Sequence, residues 1–299
     1  MVSALTDTFT FQPLFCAVFA TLLGAIVGSF LNVVIYRVPA EKSIITPGSH
    51  CACGKPIAWH DNIPVVSWLI LGGRARCCSA AFSPRYPFVE VLTAGLFLAC
   101  WLQFPPLVAM VGWVFLSSLV CAAFIDLDHM IIPDRFTIGL GVVGVILSGL
   151  VPEIQGQCGN SFVLASNHAI TISIHGLLIG SGLVLWIALL LEIALQKEVL
   201  GFGDVKFVGA IGAFTGWQGA VMVVFGGSVI GSLWLFLAWI WQKKVGVGGP
   251  LKLETPEGHP TPIGFGAQVP FGPMLAIAGA IYFLWLRSLC NDGLSAAID

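Results

Sequence analysis

Residues 13–35 read PLFCAVFATLLGAIVGSFLNVVI, an apolar run long enough to cross a bilayer as one helix. No basic stretch precedes it, so it reads as a retained span and not as a cleaved signal peptide. Composition extends that reading to the whole chain: of 299 residues, 57% are hydrophobic and 9% are charged, with a mean hydropathy of +0.95. A polytopic membrane protein is expected. The apolar runs lack the short alternating segments of an outer-membrane barrel, so the expected fold class is all-α. A net charge of −2 provides no basic face for phosphates and argues against a nucleic-acid partner.

About eight transmembrane helices are expected, near 13–35, 88–104, 106–125, 136–151, 174–195, 205–217, 219–241 and 270–288. The short sixth span and the tight Pro105-Pro106 turn decide the parity of everything after them. Lys and Arg provide an independent check. If the loop after the first span is cytoplasmic, Arg37, Lys42, Lys55, Arg74, Arg76, Arg85, Arg135, Lys197, Lys206, Lys243, Lys244 and Lys252 lie inside, and only Arg287 lies outside. The segment 152–173 then reads as polar and external, and Cys158 and Cys290 share that side. Residues 242–268, rich in Gly and Pro, read as an irregular connector. Small-xxx-small spacings such as Gly24/Gly28 and Gly227/Gly231 imply close helix packing.

Two acidic motifs stand at the edges of apolar runs, where ionisable groups point to function. One is Gly201-Phe202-Gly203-Asp204-Val205-Lys206, whose two glycines allow another backbone to approach the carboxylate. The other runs from Asp126 to Pro133-Asp134. In the eight-span topology Asp126 closes the third span and Asp204 opens the sixth, at the same face. Two carboxylates sharing a site hold one proton between them, so one can draw a proton from water while the other donates to a carbonyl. That chemistry is peptide hydrolysis without a metal. The competing reading pairs these acids with Lys or Arg, or makes them a proton relay in an ion-coupled transporter. Asp128, Asp134, Glu192 and Glu198 read as solvated interfacial charge, which together would form an acidic rim for a basic peptide. His129 reads as an interfacial side chain.

The loop from about 37 to 87 differs from the rest. It carries Cys51-Ala52-Cys53-Gly54, Trp59-His60-Asp61, Gly72-Gly73 and Cys77-Cys78, a mix that suggests a small folded module. Of the nine cysteines only these four cluster, which favours a metal site over a secreted disulfide framework.

The Gly-x-Gly-Asp at 201–204, the Asp126 to Pro133-Asp134 spacing and the Cys-bearing loop resemble the bacterial type IV prepilin peptidases. Supporting stretches are 28–37, 61–69, Ser83-Pro84-Arg85-Tyr86-Pro87 and Val269-Pro270-Phe271-Gly272-Pro273. The resemblance implies Asp126 and Asp204 as the catalytic aspartates, Gly201 and Gly203 beside the approaching substrate, and residence in the bacterial inner membrane with the active site at the cytoplasmic face. It further implies removal of a short basic leader from prepilins or pseudopilins, then methylation of the new N-terminus from S-adenosylmethionine. The domains would be a first helix at 1–36, a cytoplasmic module at 37–87 and a peptidase bundle at 88–299. Many members of that family carry two Cys-x-x-Cys pairs, a spacing suited to zinc. Here Cys51-x-Cys53 and adjacent Cys77-Cys78 depart from it, with Ala75 where a Cys would stand. Zn2+ on Cys51, Cys53, Cys77 and Cys78 remains the expectation, with His50 or His60 as substitutes. Glu90 is a candidate partner for a cation or amine, or for Arg85. No glycine-rich nucleotide-binding turn is present, so no residue is assigned to the methyl donor.

Overall fold

The structure is a computed structural model describing residues 13–51, 53–158, 161–196, 200–245 and 269–286. Lys197, Glu198, Lys252, Arg287, Cys290 and the Gly/Pro connector beyond 245 lie outside the described residues. Apolar segments become helices because a bilayer offers no partners for free backbone N–H and C=O groups. They are α1 Pro13–Arg37, α2 Val66–Ile70, α3 Arg85–Gln103, α4 Pro106–His129, α5 Ile138–Leu150, α6 Phe162–Leu195, α7 Phe202–Val245 and α8 Gly272–Ile281. Short 3₁₀ turns occupy Trp59–Asn62 and Pro152–Gln155, and α8 continues as a π-helical turn over Tyr282–Leu286. Among the described residues there is no strand, only the isolated bridges His50 to Pro56 and Arg74 to Ala81.

Proline sets several boundaries. Pro106 opens α4, where its missing N–H costs nothing, and Pro273 stands in the first turn of α8. Five helices are long and apolar enough to span a membrane, and two shorter apolar helices, Ile138–Leu150 and Gly272–Trp285, accompany them. One of the five, α7, is interrupted at Gly216, whose φ of 72° and ψ of 178° are not helical. A Cβ on Gly212 would sit 3.1 Å from that of Ala220, eight residues on. Eight residues of unbroken helix rise about 12 Å, so the chain folds back at Gly216. The halves, 202–215 and 217–245, match the sixth and seventh expected spans, and the described chain therefore holds eight apolar helical segments. One boundary differs: 162–173 is not a polar connector but the start of α6, because Phe162, Val163 and Leu164 give it an apolar first turn.

The chain divides into two compact units. The first comprises 1–121 and 146–169, the second 122–145 and 170–299. In the first, α1 and α3 pack through glycines. A Cβ on Gly24 would lie 2.8 Å from the Ala94 Cα, and one on Gly28 2.7 Å from the Glu90 Cα. Asn32 Nδ2 donates to the Tyr86 carbonyl at 3.1 Å, and buried Arg37 donates to the carbonyls of Ser43 and Pro47, tying the loop to the end of α1. In the second unit Gly176 and Gly212 face each other with equally little room, and Ser173 Oγ donates to the Ala213 carbonyl at 2.7 Å. Gly227 packs on Leu275 and Gly231 on Met274, so both small-residue pairs seen in the sequence are helix contacts.

This packing makes a stability prediction. Gly28→Ala forces a methyl into backbone and should cost about 1–3 kcal/mol, seen as a lower thermal midpoint by circular dichroism in detergent. Gly95→Ala, where a Cβ meets nothing within 4 Å, should leave the midpoint unchanged or raise it.

Candidate active site and metal cluster

Asp126 lies near the end of α4 in the second unit, 5% exposed, amid an otherwise apolar helix. A buried carboxylate needs hydrogen-bond partners from the protein. Its partner is the backbone of Gly272, whose N–H donates to Asp126 Oδ2 at 2.9 Å from the first residue of α8. Only glycine fits there, since a Cβ would stand 2.7 Å from the same oxygen. An N–H can only donate, so Oδ2 is the acceptor in this contact.

Asp204 stands in the first turn of α7, partly buried, and like-charge repulsion acts on it from Asp126. Ile132 lies against both Gly203, the neighbour of Asp204, and Gly272, whose amide holds Asp126, so the two expected acids flank one apolar side chain. Gly203 lies beside Ile132, with 3.7 Å from a would-be Cβ to the Ile132 Cβ, while Gly201 is exposed. Ile132, 8% exposed, also packs under Gly272 and fills the space next to the acids.

Asp134 is exposed, in keeping with its reading as solvated interfacial charge, and is in addition ion-paired. Lys206 Nζ forms an ion pair with Asp134 Oδ1, and Thr137 Oγ1 donates to the same oxygen at 3.4 Å. The hydrogen bond from Lys206 holds the Asp134 carboxyl below its usual range.

The other cluster belongs to the first unit. The ligand atoms of Cys51, Cys53, Cys77 and Cys78 all lie within 4.8 Å of one another. Sulfurs contact across the pairs, Cys51 to Cys78 and Cys53 to Cys77, each at 3.4 Å. Tetrahedral zinc with Zn–S bonds of about 2.3 Å has S···S edges of about 3.8 Å, so the thiols fit that ion. Neither His50 nor His60 joins the cluster: His50 Nδ1 contacts the Gly48 carbonyl, and His60 lies 3.8 Å from Asp61. Hydrogen bonding, chiefly from the Cys53 backbone, draws the Cys51 thiol down to about 7, whereas hydrogen bonds with Cys53 and then Cys51 push Cys77 up to about 12. A bound cation would expel such shared protons. Arg76 grips Asp61 as a fork, with Nη2 to Oδ1 at 2.8 Å and Nε to Oδ2 at 3.0 Å, bracing the segment before Cys77.

Glu90 is 8% exposed, one and a half turns into α3. Its Oε2 accepts the Val65 N–H at 2.7 Å and its carboxyl takes a further hydrogen bond from Ser29, so the partners found for it join the loop to α1 and are not a cation. Val65 has φ 60° and ψ −49°, a costly conformation for a β-branched residue, held at the point where the loop meets the helices.

Fold and acids together define the class: a polytopic α-helical membrane protein with two aspartates sharing one site. Comparison with known proteins gives the family. A model described as the type IV leader peptidase family matches residues 113–236, and one described as the bacterial peptidase A24 N-terminal domain matches 22–104. A prepilin leader peptidase/N-methyltransferase of Myxococcus xanthus is 37% identical over 85% of this chain and 72% of its own length. One of Aeromonas hydrophila is 34% identical over 90% of each chain. A type 4 prepilin-like proteins leader peptide-processing enzyme of Escherichia coli is 34% identical over 95% of this chain and 99% of its own. The chain belongs to the type IV leader peptidase family. No solved structure matches it.

The thiol geometry sets a metal prediction. Protein purified without chelator should carry about one zinc per chain by mass spectrometry, and Cys53→Ser or Cys78→Ser should remove most of it. Zinc-free wild-type protein with four thiols open to alkylation would remove the assignment.

Proposed function

We propose that this chain cleaves the short basic leader from type IV prepilins or type II secretion pseudopilins, with Asp126 and Asp204 as the catalytic pair, and then N-methylates the new N-terminal residue. The observation that supports it most is the juxtaposition of two acids from different helices, one fixed by the Gly272 amide. The names carried by the relatives agree with it. Nothing among the described residues or in the comparisons favours a transporter.

In the proposed reaction the ionised carboxylate takes a proton from water as the water oxygen attacks the scissile carbonyl carbon. The protonated carboxyl donates to the carbonyl oxygen. Collapse of the tetrahedral species breaks the C–N bond, and the proton taken from water passes to the departing amine. Gly272 holds Asp126 through its amide, and Gly203 presents no side chain beside Asp204. A basic leader stays cytoplasmic under the positive-inside rule while its apolar helix enters the bilayer, so the scissile bond comes to the cytoplasmic interface of the inner membrane. The Lys and Arg distribution of the eight-span reading supports the same face for both acids.

The methyl donor, S-adenosylmethionine, would supply an electrophilic methyl group to the amine. No set of described residues is assigned to it, and no step is derived through it. Zinc on Cys51, Cys53, Cys77 and Cys78 would cross-link the loop module, with no part in hydrolysis.

The test is the intact mass of a prepilin incubated with membranes holding this protein, with and without S-adenosylmethionine. Leader loss plus one methyl group is expected. Asp126→Asn and Asp204→Asn should each abolish leader loss with normal expression and zinc content, and cleavage by either would sink the pair. Gly272→Ala should slow cleavage about 10- to 100-fold by displacing Asp126.

A further inference from the structure

Lys206 stands two residues beyond Asp204, on the same first turns of α7. Asp134 lies eight residues beyond Asp126, in the segment that leaves α4 and returns as α5. An ion pair between Lys206 Nζ and Asp134 Oδ1 therefore joins two short, stiff stretches of chain, each ending at one acid of the site. The intervening segment is itself ordered. The Gly139 N–H donates to the Asp134 carbonyl at 2.9 Å, and Thr137 Oγ1 to its carboxylate. Ile132 packs against Gly203 on one side and Gly272 on the other. The segment begins at Met130 with φ +53°, a left-handed conformation that a non-glycine residue keeps only when its surroundings hold it. Ile132 provides an apolar hold and the ion pair a polar one.

We propose that Lys206 and Asp134 form a latch that fixes the separation of Asp126 and Asp204. Both are positioning residues: neither touches the reacting bond, and each acts through the acid to which the backbone couples it. The inference rests on Asp126 and Asp204 being the catalytic pair. Side chains 25% exposed at Lys206 and 65% exposed at Asp134 leave the pair open to solvent, so it is subject to salt screening in a way a buried contact is not.

The test combines kinetics with hydrogen exchange on the full chain in nanodiscs. Lys206→Met and Asp134→Asn should each lower kcat for prepilin cleavage about 10- to 100-fold, since a small misplacement of reacting groups has that effect, with KM nearly unchanged. The double variant should be no slower than the worse single one. Lys206→Arg should retain most of the rate, and the charge swap Asp134→Lys with Lys206→Asp should recover part of it. Raised salt should slow the wild type and leave Lys206→Met unaffected. Independently of chemistry, amide exchange across 127–137 should quicken in both single variants. Unchanged exchange in Lys206→Met, additive rate losses, or a rise in KM at constant kcat would each overturn the latch. Cleavage by Asp126→Asn or Asp204→Asn would overturn the catalytic pair instead, and the exchange result would stand apart from it.

Discussion

A carboxylate inside an apolar helix has to take its polar partners from the protein, because hydrocarbon supplies none. Much of the second unit can be understood from that constraint. Asp126 is satisfied by the one kind of donor that costs no extra side chain, a backbone N–H at a helix start. Helix starts have unpaired N–H groups to give, and the first turn of α8 has its own N–H vacancy at Pro273. For that amide to come within 2.9 Å, residue 272 has to lack a Cβ. α8 in turn lies close against α7 at Gly227, where a Cβ would stand 3.0 Å from Leu275 Cδ2. The small residues of the bundle and the polar chemistry of its site are thus parts of one arrangement.

The same logic explains what was legible from the sequence. Hydropathy is a one-dimensional property, so the eight apolar segments could be read directly, and even the short 205–217 segment was recoverable, because Gly216 permits a reversal that no other residue type makes cheaply. The acids were legible because charge is rare in such segments. The Gly272 contact was not, since it depends on the meeting of residues 146 positions apart. Its only trace was the Pro270-Phe271-Gly272-Pro273 run, in which a glycine stands at a helix start. The Lys206 to Asp134 pair was hidden in the same way: Asp134 read locally as a solvated interfacial charge and Lys206 as one of the inside basic residues, and only the fold shows them meeting. The early start of α6 at Phe162 was missed because Asn167, His168 and Thr171 lower the local hydropathy without breaking the helix.

The two units carry different chemistry on different supports. The acids of the second are held on helix ends, where backbone geometry is stiff. The thiols of the first lie in a loop whose regular pieces, among the described residues, are a 3₁₀ turn and the short α2. Such a loop has little apolar core, and what fixes it is polar: Arg37 on the carbonyls of Ser43 and Pro47, Arg76 on Asp61, Glu90 on Val65. A small module with so few buried apolar contacts is the setting in which a metal contributes most to order.

The altered cysteine spacing bears on that role. Pairs separated by two residues let both thiols of a pair turn toward one ion, and tighter pairs at first sight do not. Here the sulfurs meet crosswise, Cys51 with Cys78 and Cys53 with Cys77. Each tight pair needs only to present its two thiols to the opposite segment of the loop, and the opposing pair completes the set. The demand on backbone geometry moves from within a pair to the register between the two segments. That register is set by elements other than the thiols: Cys51 and Lys55 are joined by a backbone bond of 2.8 Å, and Ala75 to Ala80 closes the turn around Cys77-Cys78 with another of 2.8 Å. Ala75, standing where a cysteine would be expected, is 5% exposed and donates its N–H to that turn, so the position is part of the scaffold around the four thiols.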